Sequence, residues 1–168
     1  MIRGEKINLR PVRWTDVPSI LLWENDPENW EVSETAKAYT FNEIILLIES
    51  SDDLFEQGQL RFIIEEKESN TSVGAIDLFQ VDFKKKSVEL GILIAEKRHR
   101  NQGFATEALE LVATYCENNL GLDFLYCSIQ TKNQVSLNLF KKSGFEIVQE
   151  EEQNTIFDII KLKRCVKK

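Results

Sequence analysis

Arg100, Gly103 and Ala105 stand in the spacing R/Q-x-x-G-x-G/A, inside the run Glu96-Lys-Arg-His-Arg-Asn-Gln-Gly-Phe-Ala-Thr-Glu-Ala-Leu109. An apolar stretch, Val88 to Ala95, precedes the run, and an amphipathic one follows it. A chain that leaves a strand and turns into a helix start aims several free N–H groups at one point. The helix dipole adds positive potential there. Gly103 lacks the Cβ that would hold a phosphate away from the backbone. Arg100, Asn101, Gln102, Gly103, Phe104 and Ala105 therefore read as a cradle for a phosphate-bearing cofactor. His99 adjoins this loop with Lys97 and Arg98, where it could meet a phosphate but is poorly placed to act as a base.

The flanking elements must hold that loop in place. Lys6 to Val12 alternates and reads as a first strand ended near Pro11. Thr15-Asp16 supplies an N-cap for a helix with Pro18 early in it, and Asn25-Asp26-Pro27 stops that helix. Phe41 to Ser51 is a second helix. Leu60 to Glu66, Ser72 to Phe83 and Val88 to Ala95 read as an antiparallel meander. A long helix runs from about Gly103 to Asn119. Ala105, Ala108, Leu109, Val112 and Cys116 form its apolar side, Glu107, Glu110, Thr114 and Glu117 the other, and Gly121 ends it. Phe124 to Gln130 is a further strand, and Gln134 to Ser143 a short helix closed by Gly144. Phe145 to Val148 and Thr155 to Leu162 pair last. The expectation is one α/β domain over residues 1–168, with a mixed, mostly antiparallel sheet of about seven strands flanked by helices. The long helix is its crossover.

Composition narrows the class. A chain of 168 residues, 42% hydrophobic and 29% charged, suits one soluble domain. No apolar run reaches the roughly 18–20 residues of a membrane span, and the N-terminus has no signal-peptide core, so a cytoplasmic protein is expected. The formal charge of −7 disfavours nucleic acid and is compatible with a cationic substrate, although ordinary solubility accounts for it equally. Cys116, Cys127 and Cys165 show no metal-ligand spacing, and with one histidine in the chain no metal is expected. Cys116 and Cys127 read as buried apolar residues, and Trp14 and Trp23 as core or interface.

Taken together, three segments resemble one family, the GNAT N-acetyltransferases. The first is Arg100-Asn-Gln-Gly103-Phe-Ala105. The second is Asn133-Gln-Val-Ser136-Leu-Asn-Leu139-Phe140-Lys-Lys142-Ser-Gly144-Phe145, close to N-x-x-A/S-x-x-L-Y/F-x-K-x-G-F. The third is Leu9-Arg10-Pro-Val-Arg-Trp-Thr-Asp16, similar to the family's first strand and helix cap. The loop motif alone is moderately specific; the first two in this order are strong. The likeness covers essentially the whole chain and is nearest to the polyamine and Rim-type protein acetyltransferases.

The resemblance implies a GNAT fold splayed between the fourth and fifth strands, with acetyl-CoA as co-substrate. It places the pyrophosphate on Arg100 through Thr106. It runs the pantetheine along Leu93, Ile94 and Ala95, with Asn133 on the cofactor arm and Phe140 as a packing wall against it or the core. An acetyl group would pass to a primary amine, a small polyamine-like molecule or a protein N-terminal amine, by direct attack in a ternary complex. Glu89, eleven positions before Arg100, matches a catalytic glutamate of several relatives; a solvent-facing strand carboxylate or a partner for Lys84–Lys86 is the other reading. Alternation puts Glu89 on one face with Gly91 and Leu93 unless a bulge intervenes. Where relatives carry a tyrosine that protonates the leaving thiolate, this chain has Phe140. Ser136 or water then takes that part, or the thiolate leaves unassisted. Trp30, Glu31, Glu34 and Tyr39, in a segment that also holds Asp26 and Glu28, would receive an ammonium, or the segment is a solvated acidic loop. Relatives are often dimers, so a homodimer is one expectation. A catalytically weak acyl-CoA-binding regulatory module is the alternative that Phe140 favours. A nucleotide-binding protein is disfavoured by the absence of G-x-x-x-x-G-K-[ST] and of a first-strand G-x-G-x-x-G.

Overall fold

The computed structural model describes residues 1–29, 38–50, 53–148 and 158–167. Its strands are β1 (Ile2–Arg3), β2 (Ile7–Pro11), β3 (Gln59–Glu66), β4 (Ser72–Asp82), β5 (Ser87–Ile94), β6 (Phe124–Gln130), β7 (Glu146–Ile147) and β8 (Ile159–Cys165). Around them lie α1 (Val17–Glu24), α2 (Phe41–Glu49), α3 (Phe104–Tyr115) and α4 (Gln134–Lys142). One sheet results, in the order β1-β2-β3-β4-β5-β6-β8-β7. Every neighbouring pair is antiparallel except β5 and β6, which α3 connects.

The expected architecture is present, with eight strands in place of about seven. The additional one, Ile2–Arg3, is two residues long, too short for alternation to mark it. Of the expected strand Thr155–Leu162, the described part begins at Ile159 and runs on to Cys165. The long helix continues from Tyr115 into a π-turn, Cys116–Leu120, before Gly121 closes it with φ +64°.

Two apolar clusters lie on opposite faces of the sheet. Phe62, Ile64, Val88 and Leu90 join Phe104, Leu109 and Val112 of α3 and Leu137 of α4 on one face. Ile63 and Ala95 join Val17, Ile20 and Trp23 of α1 and Ile44 of α2 on the other. Leu109 and Val112 are fully buried, and each such side chain contributes roughly 1.5–3 kcal/mol of transfer free energy. Trp23 is buried and Trp14 exposed. Glu107, on the polar side of the long helix as expected, accepts from the N–H groups of Glu5 and Lys6, tying α3 to the β1–β2 turn.

Asp16 corrects another expectation. Its side chain makes no capping bond to α1. It accepts from both terminal nitrogens of Arg10, at 2.7 and 2.8 Å, and from the N–H of Arg13 at 2.8 Å. Arg10 also donates through Nε to Glu65 and through Nη2 to Ser72. All three charged groups are buried, so the guanidinium takes the carboxylate that a solvated cap would use. The Asp16 hydrogen bond holds the Arg10 pKa above its ordinary value against the pull of burial. Burial pushes the Asp16 carboxyl upward, but its hydrogen bonds from Arg10 and Arg13 outweigh that and leave it below 3.8.

A depressed carboxyl pKa stabilises the native state above the ordinary aspartate range and stops doing so as pH falls through the native value. Arg10→Ala is expected to lower the unfolding free energy by about 3–5 kcal/mol at neutral pH, because two buried carboxylates lose their partner. Urea denaturation at several pH values measures it. The wild type should lose stability below about pH 4 more steeply than the variant.

Candidate active site

β5 and β6 pair in parallel at Ser87 with Phe124, Val88 with Leu125 and Glu89 with Tyr126, and no further. Beyond Glu89 each strand keeps its outer neighbour. β5 stays on β4 as far as Ile94 opposite Gly74, and β6 stays on β8 as far as Gln130 opposite Ile159. The inner edges therefore diverge into a slot, between the expected fourth and fifth strands. Ala95 N–H bonds the carbonyl of Val73 on the β4 side. By alternation, Ile92 and Ile94 turn their main-chain groups toward the slot.

Each diverging strand feeds a helix. After β5 the chain makes a single 3-10 turn, Lys97–His99, passes Asn101 at φ +59°, and enters α3 through Gly103 at φ +88°. The first intrahelical bond runs from Glu107 N–H to Gly103 O, so Phe104, Ala105 and Thr106 have no earlier carbonyl of the helix to bond. The Arg100 guanidinium donates to the carbonyls of Ile94 and Ala95, at 3.1 Å each, and to Asn29. It braces the loop against the end of β5. Lys97 pairs with Glu28 and Arg98 with Glu96, all four at exposed positions, where such pairs contribute little. Lys6, which the sequence did not single out, donates to the Gln102 carbonyl and lies 3.5 Å from where a Cβ on Gly103 would stand. The His99 Nδ1 is buried and has no hydrogen-bond partner among the described residues.

At the closed end of the slot, Glu89 is 9% exposed and accepts a hydrogen bond from the Ser128 hydroxyl on β6. The pairing with β4 is unbroken from Glu89 to Ile94, and the bulge falls in β4 between Phe79 and Asp82. Glu89 thus keeps the face of Gly91 and Leu93. Cys127, next along β6, is buried; burial and the nearby Glu89 charge push its thiol pKa well above the ordinary range.

The sheet face around Glu89 carries charge on both sides. On β3 and β4, Arg61 holds Asp77 through two hydrogen bonds of 2.7 and 3.0 Å and reaches Glu24 of α1 at 3.1 Å. Burial opposes the Arg61 charge, and the two carboxylates restore it with a net rise in pKa. Arg61, Asp77 and Phe79 line a cavity of about 120 Å³ with Gln59, Leu78 and Leu47. On β8, the Lys163 ammonium lies 4.1 Å from the Phe124 ring centre and Lys161 5.0 Å from that of Tyr126. Composition and spacing mark none of these groups; only the strand register gathers them. Trp30, Glu31 and Glu34 lie outside the described residues. Tyr39 is clamped at its main chain by the Asn25 side chain and packs against the α1–α2 cluster.

Residues 6–146 match the family described as acetyltransferase (GNAT) domain. The chain belongs to the GNAT acetyltransferases. It is 25% identical over 177 aligned positions to alpha/beta-tubulin-N-acetyltransferase 9 of Mus musculus, covering 99% of this chain and 71% of that one. Spermidine N(1)-acetyltransferase of Vibrio cholerae serotype O1 is 24% identical over 64% of each chain. The crystal structure of spermidine N-acetyltransferase from Vibrio cholerae in complex with CoA and spermine superposes with a TM-score of 0.82 over 96% of both chains, at 19% identity.

The second GNAT motif opens α4. Asn133 Oδ1 accepts from Ser136 N–H at 3.1 Å, capping the helix, and Ser136 is half-buried in its first turn. Phe140 is 3% exposed and meets Phe145 edge to face at 5.0 Å. Gly144 closes the helix at φ +79°.

Gly103→Ala would put a side chain in left-handed backbone, at about 1–2 kcal/mol. Urea denaturation should show that loss, and titration calorimetry about tenfold weaker CoA binding. Unchanged CoA affinity would count against this loop as the phosphate cradle.

Proposed function

We propose that this GNAT N-acetyltransferase takes its acetyl group from acetyl-CoA and passes it to a primary amine by direct attack in a ternary complex. The observation that carries this reading is the slot itself. It has a glycine-led helix start at its open end and a buried carboxylate, Glu89, at its closed end. The open helix terminus and the Gly103 backbone suit a pyrophosphate. The β5 edge, with Ile94 among Leu93, Ile94 and Ala95, suits the pantetheine, and Asn133 the cofactor arm. The thioester supplies the activated acyl carbonyl, and slot-facing amides can stabilise charge developing on its oxygen.

An ammonium has no lone pair, so a base must first take a proton. Glu89 is the group in place for that. Because Phe140 cannot donate, Ser136 or water protonates the departing thiolate, or the thiolate leaves unassisted. The acceptor is a small polyamine-like amine or a protein N-terminal amine; one relative is named for spermidine and another for tubulin. A cytoplasmic setting agrees with the absence, among the described residues, of a helix long and apolar enough to cross a membrane.

Glu89→Gln is expected to keep CoA affinity and to lower kcat/KM for the amine by about 10²–10⁴ at neutral pH. The deficit should shrink at high pH, where the amine is already neutral. An unchanged pH–rate profile would remove Glu89 from the role of base. The buried Phe140 favours a second reading, a binding module with little turnover. A panel of spermidine, putrescine, aminoglycosides and N-terminal peptides, read by free thiol, decides between them. Tight CoA binding with no amine-dependent thiol would leave only the module.

A further inference from the structure

Glu89 is buried, whereas Ser128, which donates to it, is exposed. Ser128 lies two positions beyond Tyr126, the last β6 residue paired with β5, and on the same face. Its side chain therefore bridges the two strands where their backbones have begun to part. A hydroxyl has one donor and two acceptor lone pairs. The donor is committed to Glu89 Oε1, which leaves the lone pairs for whatever approaches. An amine entering the slot thus meets the serine oxygen before the carboxylate.

We propose that Ser128 relays the proton between the acceptor ammonium and Glu89. The proposal rests on Glu89 being the base. One ammonium N–H proton passes to Ser128 Oγ as the Ser128 hydroxyl proton passes to Glu89 Oε1. The nitrogen keeps the electron pair of the broken N–H bond and becomes a nucleophile. Serine is regenerated in the same step, and Glu89 ends as the neutral acid, which later returns its proton to solvent. No further reactant is required. Among the described residues, the charged and titratable groups around the pair are Asp77 of β4, Arg61 of β3, Glu24 of α1, Tyr126 and Cys127 of β6, and Lys161 and Lys163 of β8. Arg61 is already held by Asp77 and Glu24, and the two lysines lie over the rings of Phe124 and Tyr126. Ser128 is the hydroxyl joined to Glu89 itself.

Ser128→Thr and Ser128→Val differ by one hydroxyl against one methyl, and valine also keeps a substituting water out. At neutral pH, Ser128→Val should lower kcat/KM for the amine by on the order of tenfold to a hundredfold, with the loss recovered at high pH. Ser128→Thr should stay within about threefold of wild type, since it retains the relaying hydroxyl. Neither should move KM for acetyl-CoA. Ser128→Val added to Glu89→Gln should cost nothing more. In mixed H₂O and D₂O, the wild-type kcat/KM should follow a bowed curve, as two moving protons require. A valine variant with wild-type turnover and pH profile beside an impaired Glu89→Gln, or a linear isotope plot, would overturn the relay and leave the base. An unmoved profile in Glu89→Gln would overturn the base itself.

Discussion

The parallel pairing of β5 with β6 ends at Glu89 and Tyr126, and the places of the functional groups follow from where it ends. A parallel pair that continued would have its inner backbone groups saturated and no room for a ligand. Here both strands stay anchored at their outer edges, so the gap opens without costing either its place in the sheet. The two strands also deliver the chain to two helix starts, Gly103 before α3 and Asn133 before α4. The open helix-start amides, the unpaired β5 edge and the buried carboxylate are thus successive levels of one slot.

Two guanidiniums fix what lies over the neighbouring face. Arg10 on β2 holds Asp16 just before α1, and Arg61 on β3 holds Glu24 at its last residue. The short helix is thereby tied to the sheet at both ends by charge as well as by Val17, Ile20 and Trp23. Buried ion pairs of this kind contribute little net stability but penalise any arrangement that leaves a partner alone. Asn25 and Asn29 extend the same tethering, one clamping Tyr39 and the other bonding Arg100 of the loop between β5 and α3.

Periodicity and turn chemistry were enough to read the order of elements and the crossover helix, and the family resemblance supplied the position of the splay. Each rests on local signals, or on motifs whose residues are contiguous. Asp16 shows where such reading stops, because its type fits a cap and only tertiary structure brings Arg10 to it. The Arg100 side chain likewise belongs to a motif, yet its donors go to the carbonyls that end β5. Ser128 carries no sequence signal, since a serine on a strand is ordinary until the fold brings it within hydrogen-bond reach of a buried carboxylate. The same holds for Arg61 and Asp77, sixteen residues apart in the chain and adjacent across β3 and β4.

The cysteines carry a consequence of their own. Cys116 and Cys127 are packed in the core, and burial pushes the Cys116 thiol up to about 12. A thiolate is the reactive form, so neither side chain offers one to solvent while the fold is intact. Cys165, exposed at the end of β8, is the single thiol of the native surface. A reagent that colours with free thiols therefore meets one constant equivalent from the protein, and any further colour reports released coenzyme or unfolding.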